Sequence, residues 1–170
     1  GTNTCCLLPV RAIEKLGRDA DGEMLVNLES GSFTDVPQSA FDKALDAASA
    51  APGAYRFEKM TSGRYLGKLS RLALIAAAKD GLFAPETADK LRALDVLTAA
   101  DADAFGADPD CGAIAALSDA ADADRKTAAM VIQSVFGRAA KAIVANIAAI
   151  VFLTDGAKNR YRPMVVAVDG

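Results

Sequence analysis

The sequence contains no histidine and no tryptophan, and only three of its 170 residues are cysteine. Without histidine the chain cannot form a His-containing zinc site or a Ser-His or Cys-His nucleophilic centre. Two of the cysteines, Cys5 and Cys6, are adjacent, no C-x-x-C pair occurs, and one thiol is left over. These features favour buried, reduced cysteines over a disulfide framework, and they predict a cytoplasmic protein.

The chain also lacks a strong charge and a long apolar run. Its net charge of −3 gives no electrostatic argument for a nucleic acid or an anionic membrane as partner. The N-terminal residues do not show the basic region and apolar run of a targeting segment. The most hydrophobic stretch, Ala142–Leu153, is interrupted by Asn146 and is shorter than the ~20 apolar residues of a membrane span. We therefore predict a buried core helix there.

Hydrophobic residues, many of them alanine, make up 52% of the sequence. A chain of this length can enclose one core, so we predict a single helix-rich domain over residues 1–170. The pattern predicts strands at Asn3–Val10 and Glu23–Leu28, joined by a turn over 17–22, and a buried strand at Pro163–Asp169. Both ends look cut from a longer chain, and such a cut would leave sheet edges unpaired.

Apolar residues at helical spacing predict five helices between the strands. They are expected at Ser39–Ala50, from the Phe57 segment to Gly81, at Pro85–Leu94, from Thr98 onward, and at about Arg125–Leu153. Gly137 is a weak point of the last helix because glycine has a low helix propensity. Asp155 and Gly156 should end that helix.

Two motifs resemble ligand loops and fail on inspection. The acidic region Asp95–Asp124 contains no Lys or Arg, but as a calcium loop it would place Phe105 and Gly112 at ligand positions. Helix caps and a solvated acidic face are the simpler interpretation. The segment Gly63–Leu69 resembles a P-loop, yet its glycines are one residue too close and Leu69 replaces the magnesium-binding hydroxyl.

Asn3, Glu29 and Glu58 form the constellation with the clearest chemistry. A hexose presents adjacent hydroxyl groups. Carboxylates accept hydrogen bonds from these hydroxyls, and a side-chain amide can both accept hydrogen bonds from them and donate hydrogen bonds to them. Asn3 opens the first predicted strand, Glu29 follows the second, and Glu58 lies near a helix N-terminus whose dipole favours its ionised form. A sugar site is one interpretation of these residues. The other is that Asn3 is a turn residue and Glu58 a helix-start carboxylate.

The segment Phe57–Arg71 reads FEKMTSGRYLGKLSR, which joins an acidic residue, a Ser-Gly step and a basic residue at a helix start. It closely resembles the FEKM-x-SG-x-YLGE signature of the hexokinases, ATP-dependent sugar kinases of the actin-like fold. Further segments resemble this family in order: Gly1–Cys6 (GTGTNACY), Asn27–Phe33 (NMEWGAF), Phe41–Asp46 with Pro52-Gly53 (FD-x-x-x-D…PG), Arg138–Ala140 (RRAA) and Val168–Gly170 (VDGS). Their order and spacing argue against coincidence.

The resemblance implies an α/β fold, a helix-rich middle segment of the large lobe of an actin-like, ribonuclease H-like sugar kinase. It implies that Asn3, Glu29 and Glu58 hydrogen-bond the sugar hydroxyls. Gly63 and Arg64 would approach the ATP phosphates, where glycine permits close backbone approach and a cation favours the charge of transfer. ATP and Mg²⁺ are the implied co-substrates. The implied reaction is phosphorylation of a hexose, glucose above all, at its 6-hydroxyl, the first step of glycolysis.

The chain departs from the family pattern at two positions and lacks several of its parts. Ser30 stands where the family has tryptophan, which puts hexose selectivity in doubt, and Lys68 stands where the family has glutamate. By the resemblance, the catalytic aspartate lies upstream of Gly1, so this segment would be inactive without the rest of the parent chain. A sugar sensor that has lost turnover and a helical scaffold with an acidic binding face remain the alternatives.

Overall fold

The computed structural model describes residues 2–16, 21–154, 158–161 and 163–167. Within these ranges two strands precede six α-helices, and four short 3₁₀ turns lie between them. The elements are β1 (Cys5–Pro9), β2 (Glu23–Asn27), α1 (Ala40–Ala47), α2 (Arg56–Thr61), α3 (Gly63–Lys79), α4 (Pro85–Arg92), α5 (Ala99–Ala107) and α6 (Asp122–Leu153). The helix-rich α/β architecture predicted from the sequence is confirmed.

The strands β1 and β2 form an antiparallel hairpin in which Cys5 pairs with Asn27 and Pro9 with Glu23. This register, extended by a hydrogen bond from Leu28 N to Thr4 O (2.9 Å), brings the start of β1 next to the end of β2. The polar residues that flank the two strands therefore meet at one end of the hairpin. Part of the predicted connecting turn lies outside the described residues, as do Gly1, the Asp155-Gly156 helix end and Val168–Gly170.

The predicted C-terminal strand is wrong over the residues that the structure describes. Residues 163–167 form no strand, and Val165 and Val166 are 87% and 49% exposed. A run of β-branched residues supplies only a propensity, and a strand needs a neighbour with which to exchange backbone hydrogen bonds. The described sheet contains β1 and β2 alone and offers residues 163–167 no such pairing.

The helix predicted from the Phe57 segment to Gly81 is divided into α2 and α3. The break is at Ser62, whose backbone is extended (φ −82°, ψ 149°), although Ser62 N still donates to Glu58 O (2.8 Å) and closes α2. The change in direction lets α3 pack closely on the backbone that precedes α5. A Cβ on Gly67 would lie 2.3 Å from Leu97 O, so only glycine permits this approach.

Among the described residues, two groups of buried side chains form the core. The larger one packs α3, α4, α5 and α6 together around Leu74, Leu91, Phe105, Leu117 and Ile132. The smaller one joins α1, α3 and α6 through Leu45, Leu66, Leu69, Val135 and Ala139. Apolar residues of α3 therefore contribute to both parts of the core. α6 runs unbroken through Gly137, where the sequence indicated a weak point.

The predicted burial of Ala142–Leu153 is wrong. Ile150 is buried, but Val144, Phe152 and Leu153 are 63%, 80% and 86% exposed, because within the described residues the outer side of α6 has little to pack against. In an 18-residue window of α6 the mean hydropathy is 1.7 and 17% of the residues are buried. By length and composition α6 is long and apolar enough to cross a membrane. A single helix of this kind is weak evidence of a membrane span, because the core helix of a soluble protein passes the same test.

Cysteine burial was also predicted wrongly. All three thiols are free, but Cys5 and Cys111 are exposed and Cys6 is half-buried. Cys5 lies on the more open side of β1, where residues alternate between exposed and half-buried. Burial, together with the neighbouring Cys5, raises the pKa of the Cys6 thiol and keeps it protonated at neutral pH.

The acidic region carries caps and ion pairs. Thr98 accepts a hydrogen bond from Asp101 N (3.1 Å) at the start of α5. Cations outside the region neutralise part of its charge, as in the pairs Lys90–Asp119 and Arg125–Asp110. Among the described residues no group of three His, Cys, Asp or Glu side chains could hold a metal ion.

Asp42 fastens α1 to α6 and makes the fold sensitive to acid. Its buried carboxylate accepts hydrogen bonds from Arg138 Nη2 (2.9 Å) and from Ser39 N (2.7 Å). Burial opposes ionisation, but the hydrogen bonds from Arg138 and Ser39 outweigh it and hold the pKa of Asp42 below its usual 3.8. The stabilisation is therefore complete above pH 3.8 and is lost as the pH falls through the folded-state pKa.

We expect Asp42→Asn to lower the free energy of unfolding by about 1–3 kcal/mol at pH 7, where the charged hydrogen bonds are complete. The difference between wild type and variant should shrink as the pH falls below about 4. Urea unfolding at several pH values measures both effects, with the exposed Asp103→Asn as the control. A difference that stays constant down to pH 3 would contradict this role of Asp42.

Candidate functional site

Asn27 links two of the three predicted sugar-binding residues at the end of the hairpin. Asn3 Nδ2 donates to Asn27 Oδ1, and Asn27 Nδ2 donates to Glu29 Oε1 (2.6 Å). Asn3 Oδ1 in turn accepts from Thr4 N (2.8 Å) and Ser30 N (3.1 Å). The strand register brings Asn3 and Glu29 together, and Asn27 fixes their side chains.

Glu29 has a left-handed backbone conformation (φ 49°, ψ 40°) that residues other than glycine rarely adopt. Such a conformation costs about 1–3 kcal/mol and persists only where surrounding contacts impose it. Here Ser32 N (2.9 Å) and Ser32 Oγ (2.7 Å) both donate to Glu29 O, and Glu29 N donates to Asn27 Oδ1 (3.2 Å). These bonds turn the chain sharply after β2 and hold the Glu29 carboxylate beside Asn27.

Glu58, the third predicted residue, reaches the same region through Gly31. A Cβ built on Gly31 would lie 3.4 Å from Glu58 Cβ, 3.5 Å from Glu58 Oε2 and 2.4 Å from Thr2 O. The loop after β2 is also fixed to the start of α2 by a hydrogen bond from Phe57 N to Phe33 O (3.0 Å). The structure therefore brings Asn3, Glu29 and Glu58 to one edge, which we call the hairpin edge.

The carboxylates of the hairpin edge keep acceptor capacity for a ligand. Among the described residues, Glu58 has no side-chain hydrogen bond to protein, and Glu29 uses only Oε1, for Asn27. Glu29 is exposed and Glu58 is half-buried. An ionised carboxylate accepts hydrogen bonds on two oxygens, so this edge can receive several hydroxyl protons of a polyol.

Asn146 is a supporting residue that the sequence did not identify. From α6 its Nδ2 donates to Thr4 Oγ1 (2.6 Å) and Ser30 Oγ (3.3 Å), on either side of the Asn3 network. The signal was present, because an amide that interrupts an apolar helical run needs a hydrogen-bond partner if it faces protein. Asn27 was missed because it looked like the polar end of a strand.

Gly63 and Arg64, predicted to contact phosphate, begin α3 five residues after Glu58. Both are exposed, and a Cβ on Gly63 would meet no atom of the described residues within 4 Å, so the space beside it is open in this part of the chain. The first N–H groups of a helix have no intrahelical partner and carry a partial positive charge that attracts anions. The Arg64 guanidinium lies 5.6 Å from the centre of the Tyr65 ring and adds a cation there.

A buried ion pair fixes the helix that carries Glu58. Lys59 Nζ bonds the carboxylate of Asp46 and donates to Ala51 O (2.6 Å), and Gly53 N donates to Asp46 Oδ2 (3.0 Å). The hydrogen bond from Lys59 holds the pKa of Asp46 below its usual value despite burial. These contacts tie α2 to α1 and to the connection between the two helices.

Comparison with known proteins identifies relatives of this chain. A family model described as Hexokinase matches residues 1–170. Hexokinase-1 of Nicotiana tabacum is 40% identical over 110 residues, which cover 62% of this chain and 22% of the relative. Hexokinase-1 of Homo sapiens is 42% identical over 87 residues, covering 48% and 9% respectively. The matched parts are therefore a quarter or less of these relatives.

Solved structures show the same fold. A hexokinase from Schistosoma mansoni complexed with glucose aligns with a TM-score of 0.72 at 23% identity, over 91% of this chain and 38% of that one. A second hexokinase crystal structure gives a TM-score of 0.73 at 26% identity, over 95% and 36%. The described residues thus adopt part of the actin-like fold of these neighbours.

Proposed function

The chain belongs to the hexokinase family, and from this premise we propose that the full-length protein transfers a phosphoryl group from ATP to the 6-hydroxyl of a hexose. Glucose is the proposed substrate, and the glucose in the Schistosoma mansoni neighbour supports this choice. The observation that carries the proposal is the convergence of Asn3, Glu29 and Glu58 on the hairpin edge. We also propose a cytoplasmic location and a role in the first step of glycolysis.

The hairpin edge supplies the sugar side of this reaction. Glu58 and the second oxygen of Glu29 accept hydroxyl protons of the hexose, while the Asn3 amide is held in position by Asn27 and Ser30 N. Ser30 is buried against Asn146, where the family pattern has a tryptophan. A serine in place of tryptophan removes an aromatic wall beside Glu29, and we expect a wider range of hexoses to be accepted as a result.

The start of α3 supplies part of the phosphate side. The open space at Gly63 and the Arg64 guanidinium suit the phosphates of ATP, whose transfer depends on positioning and on charge stabilisation. Mg²⁺ bound to the nucleotide would neutralise charge that develops during transfer. Because Ser62 N bonds Glu58 O, α2 and α3 hold the sugar side and the phosphate side in one frame.

The proton acceptor of the reaction is proposed to lie outside residues 1–170, on the aspartate that the family resemblance places upstream. The chain spans 36–38% of the solved neighbours, so the complete protein is the proper object of an activity test. We expect residues 1–170 alone to form no sugar 6-phosphate. Turnover by this segment in a coupled assay would refute that expectation.

The test of the proposed function titrates glucose against the full-length protein and measures turnover in the same coupled assay. Glu29→Ala and Glu58→Ala should each weaken glucose binding at least tenfold, because each removes a charged hydrogen-bond acceptor. Lys43→Ala, on the exposed side of α1, serves as the control. Glucose binding without turnover would support a sugar sensor. Unchanged affinity in both variants would leave only the scaffold hypothesis, in which the acidic face binds a partner.

A further inference from the structure

A groove separate from the hairpin edge lies between α1, α3 and the connection before α5. Its volume is about 480 Å³, within the range of small-molecule sites. Its apolar floor includes the buried Leu45 from α1 and Leu97 from the connection and the half-buried Leu72 from α3, and the exposed Val96 lies at its rim. We call it the α1–α3 groove. Its floor suits a ring or a hydrocarbon chain.

Three cations line one side of the α1–α3 groove. Arg64, Lys68 and Arg71 follow one another at spacings of four and three residues, which puts them on one face of α3. They span about 10 Å along the axis at a rise of 1.5 Å per residue. Among the described residues none of the three forms a salt bridge, and Asp95 is the single carboxylate in the lining.

The cations of the α1–α3 groove differ in how firmly protein contacts hold their side chains. Arg71 is fixed by a hydrogen bond from Nε to Leu94 O (2.5 Å), which leaves its terminal nitrogens free of that contact. Lys68 is exposed and lies with its Nζ 5.9 Å from the centre of the Tyr65 ring. The segment that resembles this one in the family ends in glutamate at the position of Lys68. This chain therefore has a cationic groove where that pattern would give mixed charge.

We propose that the α1–α3 groove binds a small organic anion, with an apolar ring or chain on the floor and a phosphate or carboxylate group against Lys68 and Arg71. The apolar floor argues against inorganic polyphosphate, which has no apolar part to bury. The unpaired cations argue against a neutral apolar ligand, which would leave them poorly solvated on binding. The groove site does not depend on the proposed sugar kinase activity. Of the residues that line it, only Arg64 is also proposed to act in that reaction.

The test uses 1-naphthyl phosphate, which combines an aromatic body with a phosphate, in calorimetric titration of the full-length protein. We expect binding that is stronger than that of inorganic phosphate or 1-naphthol, each of which offers half of the required chemistry. Lys68→Glu should weaken it about ten- to hundredfold through loss of a charged contact and added repulsion. Lys79→Glu, an exposed lysine at the far end of α3, makes the same charge change outside the groove and should have little effect.

Several outcomes would overturn the proposal: no binding to wild type, equal weakening by Lys68→Glu and Lys79→Glu, or full affinity in Lys68→Glu. If Arg64→Gln were the only variant that lost binding, the phosphate of the probe would be bound on the nucleotide side, and the groove site would be refuted. Thermal unfolding checks that the variants are folded, and Lys68→Gln replaces Lys68→Glu if that variant is not. Glucose titration of Lys68→Glu keeps the two proposals distinct, since its affinity should equal that of wild type.

Discussion

Replacing Lys59 by methionine is expected to lower the free energy of unfolding by about 3–5 kcal/mol, the cost of leaving one partner of a buried ion pair uncompensated. The Lys59 side chain is 4% exposed and that of Asp46 is 11% exposed, so water cannot replace the lost ammonium group. Ala51 O would lose its hydrogen bond as well. Chemical unfolding of wild type and variant gives the difference directly, and it should rank among the largest single-residue effects in the fold.

Lys43→Met is the matched control, because Lys43 is an exposed lysine on α1 and its replacement should change stability by less than about 0.5 kcal/mol. Combining Lys59→Met with Asp46→Leu tests the pair itself. The double variant should be less destabilised than the sum of the two single variants, since no charge is then buried alone. Strict additivity would show that the pair contributes nothing beyond the separate side chains.

The sequence predicts the parts of the fold that depend on local patterns. The hairpin strands, the helix that starts after Ser39 and the proline start of α4 are set by neighbouring residues, and each is present. The order of the family-like segments predicted the actin-like fold, which the structure confirms. In the candidate site, the local position of Glu58 near a helix start was predictable, and α2 begins two residues before it.

What the sequence does not reveal depends on contacts between distant residues. The apolar composition of Ala142–Leu153 indicates a core helix, yet burial requires covering residues, and the described chain supplies few of them on that side. The break at Ser62 lets Gly67 pack closely on Leu97 O, a contact across thirty residues that no local pattern indicates. Asn146 bonds residues more than one hundred positions away, so its role is visible only in three dimensions.

The hairpin edge itself depends on such a distant contact at Gly31. We expect Gly31→Ala to weaken glucose binding by the full-length protein at least tenfold and to lower the free energy of unfolding by about 1–3 kcal/mol, typical of overpacking. The new Cβ would lie 2.4 Å from Thr2 O, so the loop after β2 must move away from the start of β1. That movement separates Asn3 from Glu29 and pushes against Glu58. Glucose titration and urea unfolding measure the two effects.

Gly137→Ala is the matched control for this substitution. Gly137 lies within α6, and a Cβ there would meet no atom of the described residues within 4 Å. Alanine should therefore raise stability by up to about 1 kcal/mol through its higher helix propensity. Its glucose affinity should remain that of wild type. If Gly31→Ala lost stability but bound glucose as tightly as wild type, the packing at Gly31 would be purely structural. The hairpin edge would then not be the part of this protein that holds the sugar.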